Sequence, residues 1–211
     1  MESHNYDGAK AMNVAVYNED QLDCLQEICN IAMGRAADAV ARQYGVYVLL
    51  SVPATRIVPA QEFAGALNSY QADDQICAAT QLFESSRPGL PLSGLGMVMF
   101  SESSLLDLKS LARVPLTEPE LVTKTCRLLA QTCLDALSSQ WQLGFQCQPP
   151  AVIANNRVAA ICESLTADWQ QVLAVEINYR IKDREFNGNL LLLFPNQAIA
   201  AMAECLDELL V

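Results

Sequence analysis

Apolar residues recur at spacings of three and four through Leu22, Leu25, Cys29, Ala32, Met33, Ala36 and Val40. That periodicity predicts an amphipathic helix over residues 22–44. Asn18-Glu19-Asp20-Gln21 supplies its start: Asn as N-cap, Gln three residues on, acids in the first turn. Gly45 supplies its stop. The β-branched and aromatic run 46–52 predicts a strand, which Pro53 interrupts and 55–58 continues beyond a kink. Residues 61–67 read as a short helix and 76–83 and 95–100 as strands. Between those strands lies a turn-rich stretch, and 101–112 reads as a further amphipathic helix.

The pattern then starts again. Thr117-Glu118-Pro119-Glu120 is a capping box with Pro in the first turn. A long helix follows to about residue 142, with Leu121, Leu128, Leu129, Cys133 and Leu137 on its apolar side and Gly144 as its stop. An extended piece over 145–148 meets Pro149-Pro150, and 155–165 reads as a short helix. Residues 172–181 form a long strand pattern, with Leu173, Val175, Ile177, Tyr179 and Ile181 on one face. Asn187-Gly188 signals a hairpin turn, 190–194 the return strand and 196–210 the closing helix.

The halves also agree in register. Arg127 lies 127 − 30 = 97 residues after Asn30, and Pro150 lies 150 − 53 = 97 after Pro53. An internal duplication follows, with repeats over about 18–113 and 117–211. The economical fold is one α/β (α+β) domain over 18–211, a pseudo-two-fold duplicated unit whose antiparallel sheet is covered by helices. Two long helices are exposed on one face. Residues 1–17 form an N-terminal arm, polar over 1–10 and apolar enough over 11–17 to pack on the domain.

Composition narrows the chemistry. The chain has 211 residues, 52% of them hydrophobic and 18% charged, which is ample for a core. Its net charge of −11 argues against nucleic acid and anionic membranes as partners. The one histidine, His4, leaves no multi-His metal centre and no Ser-His-Asp triad. No run of about 18 apolar residues is long enough to span a bilayer, and no targeting signal opens the chain, so a cytoplasmic protein is expected. The eight cysteines form no Cys-x-x-Cys pair; they read as reduced, mostly buried core residues, and no metal of the chain's own is expected.

The first helix carries one unusual feature. Asp23, Glu27, Asn30 and Gly34 follow each other at i, i+4, i+7 and i+11. At about 100° per residue they share a sector of roughly 60°. The apolar stripe through Leu22, Cys29 and Ala36 lies on the far side. Two carboxylates and an amide therefore project in a row, and the glycine beyond them leaves bare backbone that another surface can approach.

The pattern Asp23-x-x-x-Glu27-x-x-Asn30, then Pro53 after 22 further residues, resembles the CheC/FliY/CheX chemotaxis phosphatases. The duplicated layout is most like CheC. The resemblance implies a hydrolase that removes the phosphoryl group from the aspartate of a CheY-like response regulator. Glu27 would meet the regulator's lysine, and Asn30 would place the attacking water. Asp23, Gly34 and Pro53 would shape the site. It also implies no cofactor of the chain's own; the Mg2+ would belong to the regulator. The second copy departs from the pattern: Glu120, Lys124 and Arg127 stand at the matching positions, with Pro150 retained, which reads as a degenerate second site. Three alternatives stand beside the phosphatase. One is a non-catalytic module binding the regulator, and another is a module binding the CheD deamidase. The third is a FliY-like switch role, set lower on the expectation that no further domain follows Val211.

Overall fold

A computed structural model of the chain describes residues 17–63, 65, 76–112, 115–153 and 167–210. Its elements follow the predicted order. Helix α1 spans Glu19–Tyr44, strands β1 to β4 span Val48–Leu50, Ala54–Pro59, Ile76–Ser85 and Ser93–Ser101, and α2 spans Glu102–Leu111. The second half follows with α3 (Glu118–Trp141), β5 (Phe145–Cys147), β6 (Ala151–Ile153), β7 (Gln171–Ile181), β8 (Asn187–Pro195) and α4 (Asn196–Leu210). The helix predicted over 155–165 lies outside the described residues, as does part of 61–67, of which 61–63 and 65 are helical.

The strands form one antiparallel sheet in the order β1-β7-β8-β4-β3-β5, with β2 also on β7 and β6 also on β3. Each half thus lays its two short strands along the other half's hairpin, and β4 and β8 join at the centre. The offset of 97 holds: β1 begins at 48 and β5 at 145, β2 at 54 and β6 at 151, while α1 ends at 44 and α3 at 141. Helices α1 and α3 lie side by side on one face of the sheet. The alternating residues Leu173, Val175, Ile177, Tyr179 and Ile181 of β7 meet them in the main core. A smaller core on the opposite face gathers Leu95, Met97, Leu191 and Leu193 around Phe63 and Ile153. Among the described residues no helix is long and apolar enough to cross a membrane.

Three details differ from the sequence reading. Asn187-Gly188 does not make the hairpin turn: Asn187 already pairs with Arg180, and the chain reverses through 182–186, with Asp183 at φ 61°. Burial overrides turn propensity here. Phe186 is sealed in the core against Phe100, and the Asp107 carboxylate accepts from the amides of Glu185 (2.7 Å) and Phe186 (3.0 Å). Second, α3 is capped by Gln142, which itself takes the left-handed conformation at φ 51°, so Gly144 lies beyond the stop. Third, Leu22 is 45% exposed; the buried residue of that first turn is Gln21, whose amide donates to Asp207 of α4 at 2.8 Å.

The cysteines follow expectation. The seven among the described residues are free, four buried and three half-buried. Burial pushes the Cys29, Cys126 and Cys133 thiols up from the ordinary 9.0 to about 12. These thiols keep their protons when folded and lose them sooner when unfolded. Their contribution to stability is therefore complete below about pH 9 and is lost as pH rises from there towards 12. Urea midpoints measured across pH 8 to 11 should hold to about pH 9 and fall above it. Thiol labelling should be slow for these groups in native protein and complete after denaturation; an alkaline midpoint that did not move would contradict the buried-thiol account.

Candidate functional site

Helix α1 is held at several points, which fixes the direction of its exposed face. The Asn18 side chain accepts from the Gln21 amide at 2.8 Å, and the Gln21 side chain accepts from the Asn18 amide at 2.9 Å. Tyr17, buried, donates to the Ile199 carbonyl of α4 at 2.9 Å. On the flank facing α3, the Cys133 thiol donates to the Ala32 carbonyl at 3.6 Å, and Arg35 donates to Ser139 at 3.3 Å. Gly45, at φ 68°, closes the helix with its amide on Ala41.

The remaining flank carries the sequence-predicted stripe. Asp23, Glu27 and Gly34 are exposed and Asn30 is half-buried. Among the described residues, none of Asp23, Glu27 and Asn30 has a hydrogen-bond or ion-pair partner. A Cβ added at Gly34 would meet nothing within 4 Å. Gly34→Ala should therefore raise stability by about 1 kcal/mol, the ordinary helix gain over glycine. A urea midpoint that fell instead would show that the fold itself requires this glycine.

Pro53 is buried beneath this flank, between β1 and β2. Gln26 joins the two, its side-chain amide donating to the Pro53 carbonyl at 3.4 Å. Gln26 was not singled out in the sequence, because a polar helix residue carries no signal until its partner is known. It ties the proline to the helix turn that bears Glu27 and Asn30.

The second half lacks this arrangement. Glu120, Lys124 and Arg127 are exposed on α3 and Pro150 is half-buried. Helix α3 starts two residues later than α1, since its N-cap Thr117 matches position 117 − 97 = 20 and not Asn18. Glu120 is thereby drawn into the cap, accepting from the Thr117 amide (2.8 Å) and hydroxyl (2.7 Å). Those bonds hold its carboxyl below the ordinary carboxylate range. Thr123, matching Gln26, turns back to its own helix at Pro119 (2.8 Å) and Glu120 (3.0 Å), so it makes no tie to Pro150. Among the described residues no group of three or more His, Cys, Asp or Glu side chains is placed to hold a metal.

No protein-family model matches the sequence, and no curated protein matches it. Solved structures do match in three dimensions. FliY from Thermotoga maritima superimposes at a TM-score of 0.64 and 18% identity, over 92% of this chain and 99% of that one. The fold is that of the CheC/FliY/CheX proteins. The FliM middle domain from H. pylori matches at 0.61 and 13% identity, over 90% of this chain and 99% of its own. A chain of the CheX–CheY–BeF3–Mg2+ complex from Borrelia burgdorferi matches at 0.50 and 12% identity, over 81% and 97%. At these identities the likeness is one of fold. The CheC-like layout therefore holds for the backbone, while the site rests on this chain's own residues.

Proposed function

We propose that this chain is a phosphatase for the phosphoaspartate of a CheY-like response regulator in chemotaxis signalling, with its site on α1. One observation carries the reading: Glu27, exposed, and Asn30, half-buried, neither with a partner among the described residues, stand beside an anchored Pro53 in only one of two otherwise matched halves. A CheX–CheY complex among the structural neighbours supports the choice of partner.

The chemistry asks little of the chain. An acyl phosphate is already reactive, so hydrolysis needs a water held in line with phosphorus and the transition-state charge kept neutral. The Asn30 amide both accepts and donates hydrogen bonds and does not titrate, which suits it to orient that water. Glu27 would pair with the regulator's lysine and so set the docking. The regulator's Mg2+ would neutralise charge on the phosphoryl oxygens. Asp23 and Gly34 would shape the approach, and the partner puts the chain in the cytoplasm. Lys124 and Arg127 would do neither job: one would repel a lysine, and the other has no acceptor for a water.

The second reading is a binding module without turnover, holding the regulator or CheD. FliM among the neighbours favours keeping it. Decay of the phosphorylated regulator with and without the native chain separates the two readings. The phosphatase accelerates decay in proportion to its concentration, whereas a binding module leaves the decay unchanged or slows it.

A further inference from the structure

The stripe does not run straight down the outer side of α1. At about 100° per residue, Asn30 lies roughly 40° from Gln26 and roughly 60° from Glu27, so it stands between them. Gln26 and Asn30 are half-buried and Glu27 is exposed. Met33 and Ala37 fall within roughly 20° of Gln26 around the helix, and both are buried. This line is the flank that meets β1 and the loop after it. Helix α1 packs on β1, and the Gln26 side-chain amide donates to the Pro53 carbonyl at 3.4 Å. Asn30 therefore stands on a border, one side towards the β1–β2 loop and the other towards solvent.

The Asn30 amide has no hydrogen-bond partner among the described residues, so packing alone selects among its rotamers. The packing surface on its inner side is a break in the sheet. Leu50 stands opposite Tyr179 and Ala54 opposite Glu176, so three residues of the loop face two of β7. That is a bulge, and Pro53 has no amide with which to pair it to the strand. Gln26 reaches the bulge from the helix. The second half has the same bulge, since Cys147 stands opposite Phe83 and Ala151 opposite Thr80. There it is held from the sheet: the Gln81 side chain donates to the Gln148 carbonyl at 2.9 Å. By the same pairing the residue matching Gln81 is Ile177, which has no donor to offer. Without a tie from the helix, Pro150 is half-buried where Pro53 is buried, and Arg127 is exposed where Asn30 is half-buried.

Resting on the phosphatase reading above, we infer that Gln26 is a positioning residue for Asn30. By holding the Pro53 carbonyl it keeps the bulge against the inner side of Asn30. The bulge in turn fixes the Asn30 amide in the rotamer that presents it to the regulator. Gln26 acts through Asn30 and not on the regulator itself, so its contribution belongs to the chemical step and not to docking.

The test compares the native chain with Gln26→Leu, which keeps the size of the side chain and loses its donor. In dephosphorylation of the CheY-like regulators of the source organism, kcat should fall roughly fivefold with KM unchanged. That is the dilution expected when one rotamer of several is productive. Thr123→Leu, the matched change in the second half, should leave kcat as it is. Nitrogen–proton correlation spectra give a readout that does not depend on activity. The Asn30 side-chain amide signals, identified by their absence from Asn30→Ala, should shift or broaden in Gln26→Leu and stay in place in Thr123→Leu. Both variants should melt close to the native temperature. An unchanged kcat in Gln26→Leu would overturn the inference while leaving the phosphatase reading intact. So would a fall in kcat with the Asn30 signals unmoved, or an equal fall in both variants. A native chain that hastens the decay of none of the regulators would sink the phosphatase reading and the inference with it.

Discussion

Asn30→Ala should slow dephosphorylation of the regulator on the order of 10²-fold, the cost of a misplaced water. The fold should survive. Asn30 is half-buried, has no hydrogen-bond partner among the described residues and lies mid-helix, where alanine is favoured. The loss should fall on kcat, with KM nearly unchanged, because the amide acts once the regulator is in place. Glu27→Ala should behave differently. It should raise KM, and its effect should diminish with salt as expected for an exposed charge pair. Far-ultraviolet circular dichroism and a thermal melt on each variant separate loss of chemistry from loss of fold. A rate deficit accompanied by a large fall in melting temperature would assign Asn30 a structural role.

The largest expected effect on stability lies far from the stripe, at Gly94→Ala. Gly94 is the second residue of β4, where that strand runs between β3 and β8. An added Cβ would lie 2.4 Å from the Leu193 carbonyl oxygen and 2.6 Å from the Phe83 ring. The ring cannot easily yield, since it packs edge-on against Phe145 and Phe194, each with centroids at 5.5 Å. The carbonyl is backbone in the central β4–β8 pair, so relief requires the strands to part. Overpacking of this kind should cost about 3 kcal/mol. In a chain of this size that lowers the melting temperature by roughly 10 °C. A variant as stable as the native chain would show that the central strands shift more freely than their packing implies.

Much of this architecture was legible in the sequence because local and global preferences agree. The N-caps of both long helices, the alternation of Leu173 to Ile181 and the offset of 97 each have a local chemical signature, and the structure keeps all three. What was not legible depends on partners distant in the chain. Asn187-Gly188 has the chemistry of a tight turn. The register was decided instead by a buried Phe186 and by Asp107, 78 residues upstream of Glu185. Leu22 fits the apolar period of α1, but the buried contact of that turn goes to Gln21, which reaches Asp207 at the opposite end of the chain. The stripe itself could be read from spacing alone. Its link to Pro53 could not, because the Gln26 contact exists only once β1 and β2 have folded beneath the helix. The loss of function proposed for the second half has the same character. The substitutions at Lys124 and Arg127 and the Thr117–Glu120 capping box are plain in the sequence, whereas the turn of Thr123 back onto its own helix, where Gln26 reaches Pro53, appears only in three dimensions.

The most direct test of the site's location is one assay on three chains: decay of the phosphorylated regulator with the native protein, Asn30→Ala and Arg127→Ala. Both exchanges are at matched positions of the two halves, so any effect of placing alanine at that turn of a long helix is shared. The expected result is fast decay with the native chain and with Arg127→Ala, and decay close to the spontaneous rate with Asn30→Ala. Full activity in Asn30→Ala together with its loss in Arg127→Ala would move the site to α3 and contradict the mechanism.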